Sequence, residues 1–202
     1  HLRKAIDSAT RIRGFIDYGE AGGWAEGVRQ ALDPLDDLAS GIRAGLALKL
    51  AEHAVDRIEQ TLESIDDSDG DCSALLHRAR DIHLAAAGVV RPDPVQLARD
   101  LFAREIEDGY DTFHNAVNLY GDMLGDAGRS EYRRLARAAW DRLPPRMPGR
   151  KRDFEITGDY GRLRDILDAY AESEGDVDAR IALRAKDLSA AWNYLELAAF
   201  CH

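Results

Sequence analysis

Residues 48–65, LKLAEHAVDRIEQTLESI, decide the fold class of this chain. Their apolar side chains recur at spacings of three and four residues, which places them on one stripe of an α-helix. After a polar turn, a second stripe with the same spacing runs from residue 75 to residue 89. Two such helices joined by a short turn predict an antiparallel helical hairpin. The first stripe comprises Leu48, Ala51, Val55, Ile58, Leu62 and Ile65.

The helical rhythm continues along the chain, and no stretch alternates with the two-residue period of a β-strand. Further stripes cover residues 95–106, 110–124, 132–143, 163–170 and 181–199, with weaker ones over 6–12 and 24–38. Asp33-Pro34 either kinks or restarts the helix over 24–38. Pro94 suits a first helical position, Pro144-Pro145 stops a helix, and Gly175-Asp176 predicts a helix end followed by an N-cap.

These patterns predict an all-α protein of about eight to ten helices. We expect an α-solenoid of stacked antiparallel hairpins with degenerate, tetratricopeptide-like repeats. The best partial match to that repeat begins at Val117-x2-Tyr120-Gly121. The expected organisation is a single domain over residues 1–202 with a hinge at 144–157.

Composition indicates a globular protein and argues against one that crosses a membrane. The chain has 202 residues, 45% of them hydrophobic and 32% charged, as expected for a globular protein with a real core. No apolar run reaches the ~20 residues that span a bilayer. Two distant cysteines, Cys72 and Cys201, favour a reducing, cytoplasmic location. The chain starts without Met and stops within an apolar-periodic segment, so we expect it to be a piece of a longer polypeptide.

Three segments carry a resemblance to a known family: LAEHAVDRIEQTLESIDDSDGD, RPDPVQLARDLFARE and YRRLARAAWDRLP. They resemble an uncharacterised bacterial helical-repeat family that is found downstream of SWIM-type zinc fingers. The resemblance implies a tetratricopeptide-like α-solenoid without assigned catalysis. The Cys-x-Cys and Cys-x-His elements of a SWIM finger are absent from this sequence, so no zinc site carries over.

The turn between the two strongest stripes, SIDDSDGDC at residues 64–72, raises the question of a calcium loop. With Gly70 at position 6 of an EF-hand loop, Asp67 and Asp69 fall at ligand positions 3 and 5. Positions 1 and 12 become Ile65 and Leu76, which are apolar and cannot bind calcium. Asp and Gly are also the residues that a capped turn needs, so we predict a helix-to-helix turn.

Nothing else in the sequence predicts catalysis, a metal or a cofactor. The histidines on predicted helices, at 53, 77, 83 and 114, form no i, i+4 pair, and Asp111 with His114 supplies two ligands at most. Cys72 follows several aspartates, which raise a thiol's pKa and disfavour the reactive thiolate. There is no nucleophile elbow, phosphate-binding loop or dinucleotide fingerprint. We predict a protein that is not an enzyme and has no cofactor.

The charge is uneven. The formal net charge is −10, which disfavours broad binding to nucleic acid, yet residues 129–153 carry nine Arg or Lys against three acids. Within this stretch, Arg146, Arg150, Lys151 and Arg152 are candidate contacts to phosphates or other anions. The alternative is a solvated linker that pairs with the acidic remainder of the chain. Interleaved aromatic residues for base stacking are missing.

The aromatic residues of the later helices have two interpretations. They form the core between helices, or some of them line a concave groove that binds a peptide or a partner helix. The leading functional prediction is a non-catalytic scaffold or protein-interaction module of a bacterial cytoplasmic protein, binding another protein or another part of its own parent chain. The alternative is a nucleic-acid-associated accessory domain. The candidate groove residues are Tyr110, Phe113, Tyr120, Trp140 and Trp192.

Overall fold

The computed structural model describes residues 1–107, 109–147 and 157–201, without the side chains of 157–159. These residues form ten α-helices and no β-strand, which confirms the all-α prediction. None of the described helices combines the length and apolar character that crossing a membrane requires. The helices are α1 Leu2–Ala9, α2 Tyr18–Ala39, α3 Ala44–Leu62, α4 Ala74–Val90, α5 Pro94–Glu107, α6 Ala116–Leu119, α7 Gly121–Arg142, α8 Thr157–Glu174, α9 Val177–Ala185 and α10 Ala191–Phe200.

The chain divides into two compact units. Unit 1 consists of His1–Pro94 and Glu107–Met123, and unit 2 consists of Val95–Ile106 and Leu124–His202. The boundaries fall within α5 and near the start of α7. The hinge predicted at residues 144–157 falls largely on residues 148–156, which lie outside the described residues.

The hairpin predicted from residues 48–89 forms the centre of unit 1, where α3 and α4 pack on each other and on α2. A Cβ added to Gly45, at the start of α3, would lie 4.0 Å from Val90 Cγ2 at the end of α4, so the two helices run antiparallel. Their facing stripes are buried, with Ile58 and Ala79 fully enclosed. The stripe over residues 75–89 predicts that Val89 faces inwards, but Val89 is 52% exposed because α4 ends at the next residue.

Pro34 lies inside a continuous α2, so the helix neither ends nor restarts there. The N-cap of α2 is Asp17, whose carboxylate accepts a hydrogen bond from the backbone N–H of Glu20 at 3.2 Å. An isolated parallel bridge joins Ile16, just before this cap, to Ile65, just after α3. The bridge ties the segment before α2 to the end of α3.

The helix predicted over residues 110–124 is wrong as a continuous element. Asp111 and Asn115 adopt left-handed backbone angles, with φ of 58° and 61°, and only the four-residue α6 forms before Tyr120. Asp and Asn tolerate this conformation better than most residues because their short polar side chains bond locally. The apolar spacing still identified buried side chains, because Phe113 and Tyr120 are enclosed although the backbone between them is not one helix.

In unit 2, the helix end predicted at Gly175 and the N-cap predicted at Asp176 are both confirmed. Gly175 ends α8 with φ of 69°, a conformation that glycine adopts at little cost. Asp176 then caps α9 by accepting a hydrogen bond from the backbone N–H of Ala179 at 2.9 Å. α9 packs against both α8 and α10. These three helices, with the C-terminal part of α7, carry the candidate site.

Candidate functional site

The first of the four candidate anion contacts, Arg146, does not face solvent. The Arg146 guanidinium lies 4.1 Å above the centre of the Tyr160 ring and 3.8 Å from Asp187 Oδ2, and its side chain is only 13% exposed. Its backbone forms a parallel bridge with the segment around Asp187: the Arg146 N–H donates to Lys186 O and the Leu188 N–H donates to Arg146 O, both at 2.8 Å. Arg146 therefore anchors the segment after α7 to the loop between α9 and α10.

The other three candidates for anion contacts, Arg150, Lys151 and Arg152, lie outside the described residues. Several arginines upstream are committed to intramolecular pairs. Arg134 and Arg99 both pair with Glu131, and Arg133 pairs with Glu174. The nucleic-acid alternative remains a prediction. Serine at positions 150–152 would test it by removing salt-dependent binding to nucleic acid.

The candidate groove aromatics divide by exposure. Phe113 and Tyr120 are buried in unit 1, Trp140 is buried in unit 2, and Tyr110 is 36% exposed. Trp192, in contrast, is 71% exposed on α10. The helical spacing of these residues could not separate the two groups, because a core stripe and an unpartnered stripe have the same period.

Trp192 belongs to a continuous apolar surface, which we call the α10 face. None of its members is charged, and no residue of α10 is buried. Trp192 and Leu195, three residues apart, dominate it with exposures of 71% and 63%. Surface helices normally turn their apolar side inwards and their polar side to water. Here the exposed side is apolar: Ala191, Trp192, Tyr194, Leu195, Ala198 and Ala199.

The inward side of α10 is held by polar and cation–π contacts. Glu196 accepts a hydrogen bond from Arg164 of α8 at 3.1 Å. The Phe200 ring lies beneath two guanidiniums of α9, with centroid distances of 4.9 Å to Arg180 and 4.1 Å to Arg184. Attachment through Glu196 and Phe200 therefore fixes which side of α10 faces outwards.

The two α9 guanidiniums are themselves anchored by one carboxylate. Asp168 of α8 accepts hydrogen bonds from Arg180 at 3.0 Å and from Arg184 at 2.5 and 2.9 Å. Burial alone would raise the pKa of Asp168, but the hydrogen bonds from Arg184 and Arg180 outweigh it and lower the pKa to about 2. The carboxylate is thus ionised at neutral pH and locks α9 onto α8.

A cavity of about 260 Å³, which we call the unit 2 cavity, opens between α7, α8, α9 and the start of α10. Trp140 and Tyr160 form part of its wall, with ring centroids 5.9 Å apart in an edge-to-face arrangement. Charged side chains of both signs also line it, namely Arg164, Arg184 and Asp187. Lys186 packs with its ammonium 4.6 Å from the Trp140 ring, and burial lowers the pKa of this lysine.

Unit 1 contains a buried polar cluster around His83, a residue that sequence analysis had placed on a helix without a role. His83 Nδ1 lies 2.7 Å from the Tyr120 hydroxyl, and Nε2 lies 3.4 Å from Glu52 Oε1. The rings of Phe113 and Tyr120 contact the imidazole edge-to-face. His83 is 3% exposed and Tyr120 is fully buried, whereas the Glu52 side chain is 35% exposed. The cluster therefore joins α3, α4 and the end of α6 through largely buried contacts.

The acidic turn is a capped turn, as predicted. Asp67 accepts hydrogen bonds from the backbone N–H groups of Cys72 and Ser73, both at 2.8 Å, and Gly70 supplies the left-handed conformation with φ of 78°. Burial and the neighbouring Asp67 raise the pKa of the enclosed Cys72 thiol to about 12. Across the described residues, no three or more His, Cys, Asp or Glu side chains are grouped to hold a metal ion.

Comparison with known proteins assigns the family but no activity. The class defined by the structure is an all-α protein with an exposed apolar helix face and a small charged cavity. Residues 2–194 match a family described as a family of unknown function, DUF6880, and the chain belongs to that family. No curated protein matches the chain significantly. No solved structure does so either.

Proposed function

We propose that this protein is a non-catalytic interaction module, a degenerate α-solenoid, that binds an amphipathic helix of a partner protein through the α10 face. The observation that carries the proposal is that face itself: six exposed positions on one ten-residue helix, all apolar or aromatic and none charged. Exposed apolar patches of this kind mark interaction surfaces in proteins that are otherwise polar outside.

We infer that the bound segment of the partner is a helix, because the apolar residues of the α10 face have the same spacing as the buried helix-packing residues of unit 1. In α3, the stripe includes Val55, Ile58 and Leu62, at spacings of three and four, and it is covered by other helices. On α10, Trp192, Leu195 and Ala199 repeat that spacing without a cover among the described residues. Small residues such as Ala191 and Ala198 allow the backbone of a second helix to approach closely.

The size of the surface sets the expected affinity. A ten-residue helix is about 15 Å long, so the contact falls in the class of small, transient interfaces below about 1,200 Å². We expect a dissociation constant on the order of 10 μM, with Trp192 as the main contributor because buried tryptophans dominate such contacts. The α10 face and Trp192 are the surface and the anchor residue that we propose for this protein partner.

The experiment places a photo-crosslinking amino acid at position 195 and identifies the crosslinked protein in cells of the source organism. We expect one predominant partner whose crosslinked segment is an amphipathic helix, and loss of that product with Trp192→Asp. The matched control is Phe15→Asp, which replaces an aromatic residue of equal exposure, 70%, in unit 1.

Two outcomes would overturn the proposal. One is a crosslinking pattern that Trp192→Asp leaves unchanged. The other is a homodimer, seen by analytical ultracentrifugation, that Trp192→Asp dissociates, because a second copy of the chain would then occupy the face. Separately, Arg150→Ser, Lys151→Ser and Arg152→Ser should not alter the crosslinked product.

A further inference from the structure

The unit 2 cavity has the composition of a small-molecule site. It is a concavity among four elements with two aromatic rings, an aliphatic side chain and a few charged groups, as ligand sites generally are. Its volume of about 260 Å³ is below the ~300–1,000 Å³ of drug-sized pockets. At ~30 Å³ per water molecule, it has room for about nine non-hydrogen atoms.

The cavity retains a cationic donor. Arg164 has five N–H donors, and it uses Nε towards Asp165 at 3.3 Å and Nη1 towards Glu196 at 3.1 Å. Among the described residues, Nη2 has no hydrogen-bond acceptor. Arg184 is different, since Nη1 and Nη2 are both engaged by Asp168. Arg164 is thus the guanidinium that can bind a carboxylate in the cavity.

The cavity also retains an anionic acceptor. Asp187 Oδ1 accepts hydrogen bonds from the N–H and hydroxyl of Ser189, at 3.1 and 2.6 Å. Asp187 Oδ2 forms an ion pair with Arg146 at 3.8 Å, which is beyond hydrogen-bonding distance, and it accepts no hydrogen bond from the described residues. An ammonium group entering the cavity could donate to Oδ2 without displacing an existing hydrogen bond.

The cavity thus has an available hydrogen-bond donor on the cationic Arg164 and an available acceptor on the anionic Asp187. This combination suits a ligand that carries both a negative and a positive charge. We propose that the unit 2 cavity binds a free α-amino acid with an apolar side chain, of about the size of leucine or methionine. The ligand carboxylate pairs with Arg164 and its ammonium with Asp187, and its side chain packs against Trp140, Tyr160 and Leu183. A neutral zwitterion leaves the charge balance of the surrounding ion pairs unchanged, whereas a simple anion or cation does not.

The test uses the full chain and titrates it calorimetrically with leucine, methionine and phenylalanine. We expect leucine or methionine to bind with a dissociation constant below about 1 mM. Two probes lack one charge each: 4-methylpentanoate has no ammonium group, and 3-methylbutylamine has no carboxylate. Both should bind at least about tenfold more weakly, a difference of about 1.4 kcal/mol.

A variant that fills the cavity tests the location. Gly161 lines the cavity in α8, and a Cβ at this position meets no atom within 4 Å. Gly161→Leu should therefore fold normally and abolish binding. Gly88→Leu is the matched control, because Gly88 is also helical with nothing within 4 Å of its Cβ and lies in unit 1. Arg164→Gln and Asp187→Asn should each weaken binding at least about tenfold, while Trp192→Asp should not affect it.

The proposal is wrong if none of the three amino acids binds at about 10 mM, or if Gly161→Leu binds as the wild type does. It is also wrong if 4-methylpentanoate binds as tightly as leucine, since the cavity would then be an anion site. These outcomes are independent of the α10 face, because neither Trp192 nor Leu195 lines the cavity.

Discussion

Arg184 of α9 holds the carboxylate of Asp168 of α8 through two parallel hydrogen bonds, Nη1 to Oδ1 at 2.5 Å and Nη2 to Oδ2 at 2.9 Å. Both side chains are largely removed from water, with exposures of 13% and 16%. The same guanidinium lies over the Phe200 ring. One ion pair therefore connects α8, α9 and α10, and its loss should loosen all three.

The first prediction follows from the lowered pKa of Asp168. A carboxyl whose pKa falls from ~3.9 unfolded to about 2 folded stabilises the protein by roughly 2 kcal/mol. The contribution is complete above about pH 5 and is lost progressively as the pH falls through the unfolded pKa of ~3.9 towards about 2. Asp168→Asn should remove it, so denaturant unfolding of the variant should show a smaller loss of stability between pH 5 and pH 3 than the wild type shows.

Asp165→Asn is the control for this experiment, because Asp165 lies on the same helix but is 57% exposed. We expect that substitution to change stability by less than about 0.5 kcal/mol. Equal effects at the two positions would contradict the role assigned to Asp168.

The second prediction concerns the capped turn before α4. Asp67→Ala removes the acceptor of two backbone N–H groups and should lower the free energy of unfolding by about 1–2 kcal/mol. Asp71→Ala, in the same turn, should be nearly neutral, since Asp71 is exposed and accepts no hydrogen bond from the described residues. Thermal unfolding with and without calcium completes the test: an Asp67-dependent rise in Tm on adding calcium would show that the turn binds the ion.

The third prediction is energetic coupling between His83 and Tyr120, whose side chains lie 2.7 Å apart in the interior of unit 1. His83→Leu and Tyr120→Phe should each cost about 1–3 kcal/mol, because each leaves a buried polar partner with one hydrogen bond fewer. The double variant should cost less than the sum of the two, with a coupling of about 0.5–3 kcal/mol. Strict additivity in urea unfolding would mean that the contact contributes nothing to stability.

The fourth prediction distinguishes the buried Trp140 from the exposed Trp192, both of which lie in unit 2. Trp140 is 4% exposed, and Trp140→Ala should cost about 3–5 kcal/mol through the cavity it creates. Trp192 is 71% exposed, and Trp192→Ala should change the free energy of unfolding by about 0.5 kcal/mol or less. A large loss at Trp192 in the isolated protein would show that the α10 face packs internally, and would contradict its role as an interaction surface.

Local patterns predicted the helices well where one periodicity and one boundary signal agreed. The stripe around Ile58, Pro94 at the start of α5, and Gly175 followed by the Asp176 cap are examples. Prediction failed at residues 110–124, where the apolar spacing was helical but Asp111 and Asn115 adopt left-handed angles. The hydrophobic period reports which side chains are buried, and burial does not require one continuous helix between them.

For the candidate site, the sequence identified residue types but not their environments. It selected Trp140 and Trp192 together, and for Arg146 it left open an anion contact or a pair with the acidic remainder of the chain. The structure buries Trp140, exposes Trp192 and pairs Arg146 with Asp187. Gly161 and Asp187 carried no sequence signal, because their significance comes from a cavity formed by helices far apart in the chain.

The sequence by itself determined that this protein is all-α, that helices begin or end at Pro94, Pro144-Pro145 and Gly175-Asp176, and that the acidic segment is a turn. Those properties depend on backbone propensity, caps and spacing between neighbours, which are all local. Only the tertiary structure decided which apolar stripe lacks a covering helix and which charged side chains keep an unused hydrogen-bonding group. Both depend on contacts between residues distant in the chain, such as Arg164 with Glu196, and no local pattern encodes them.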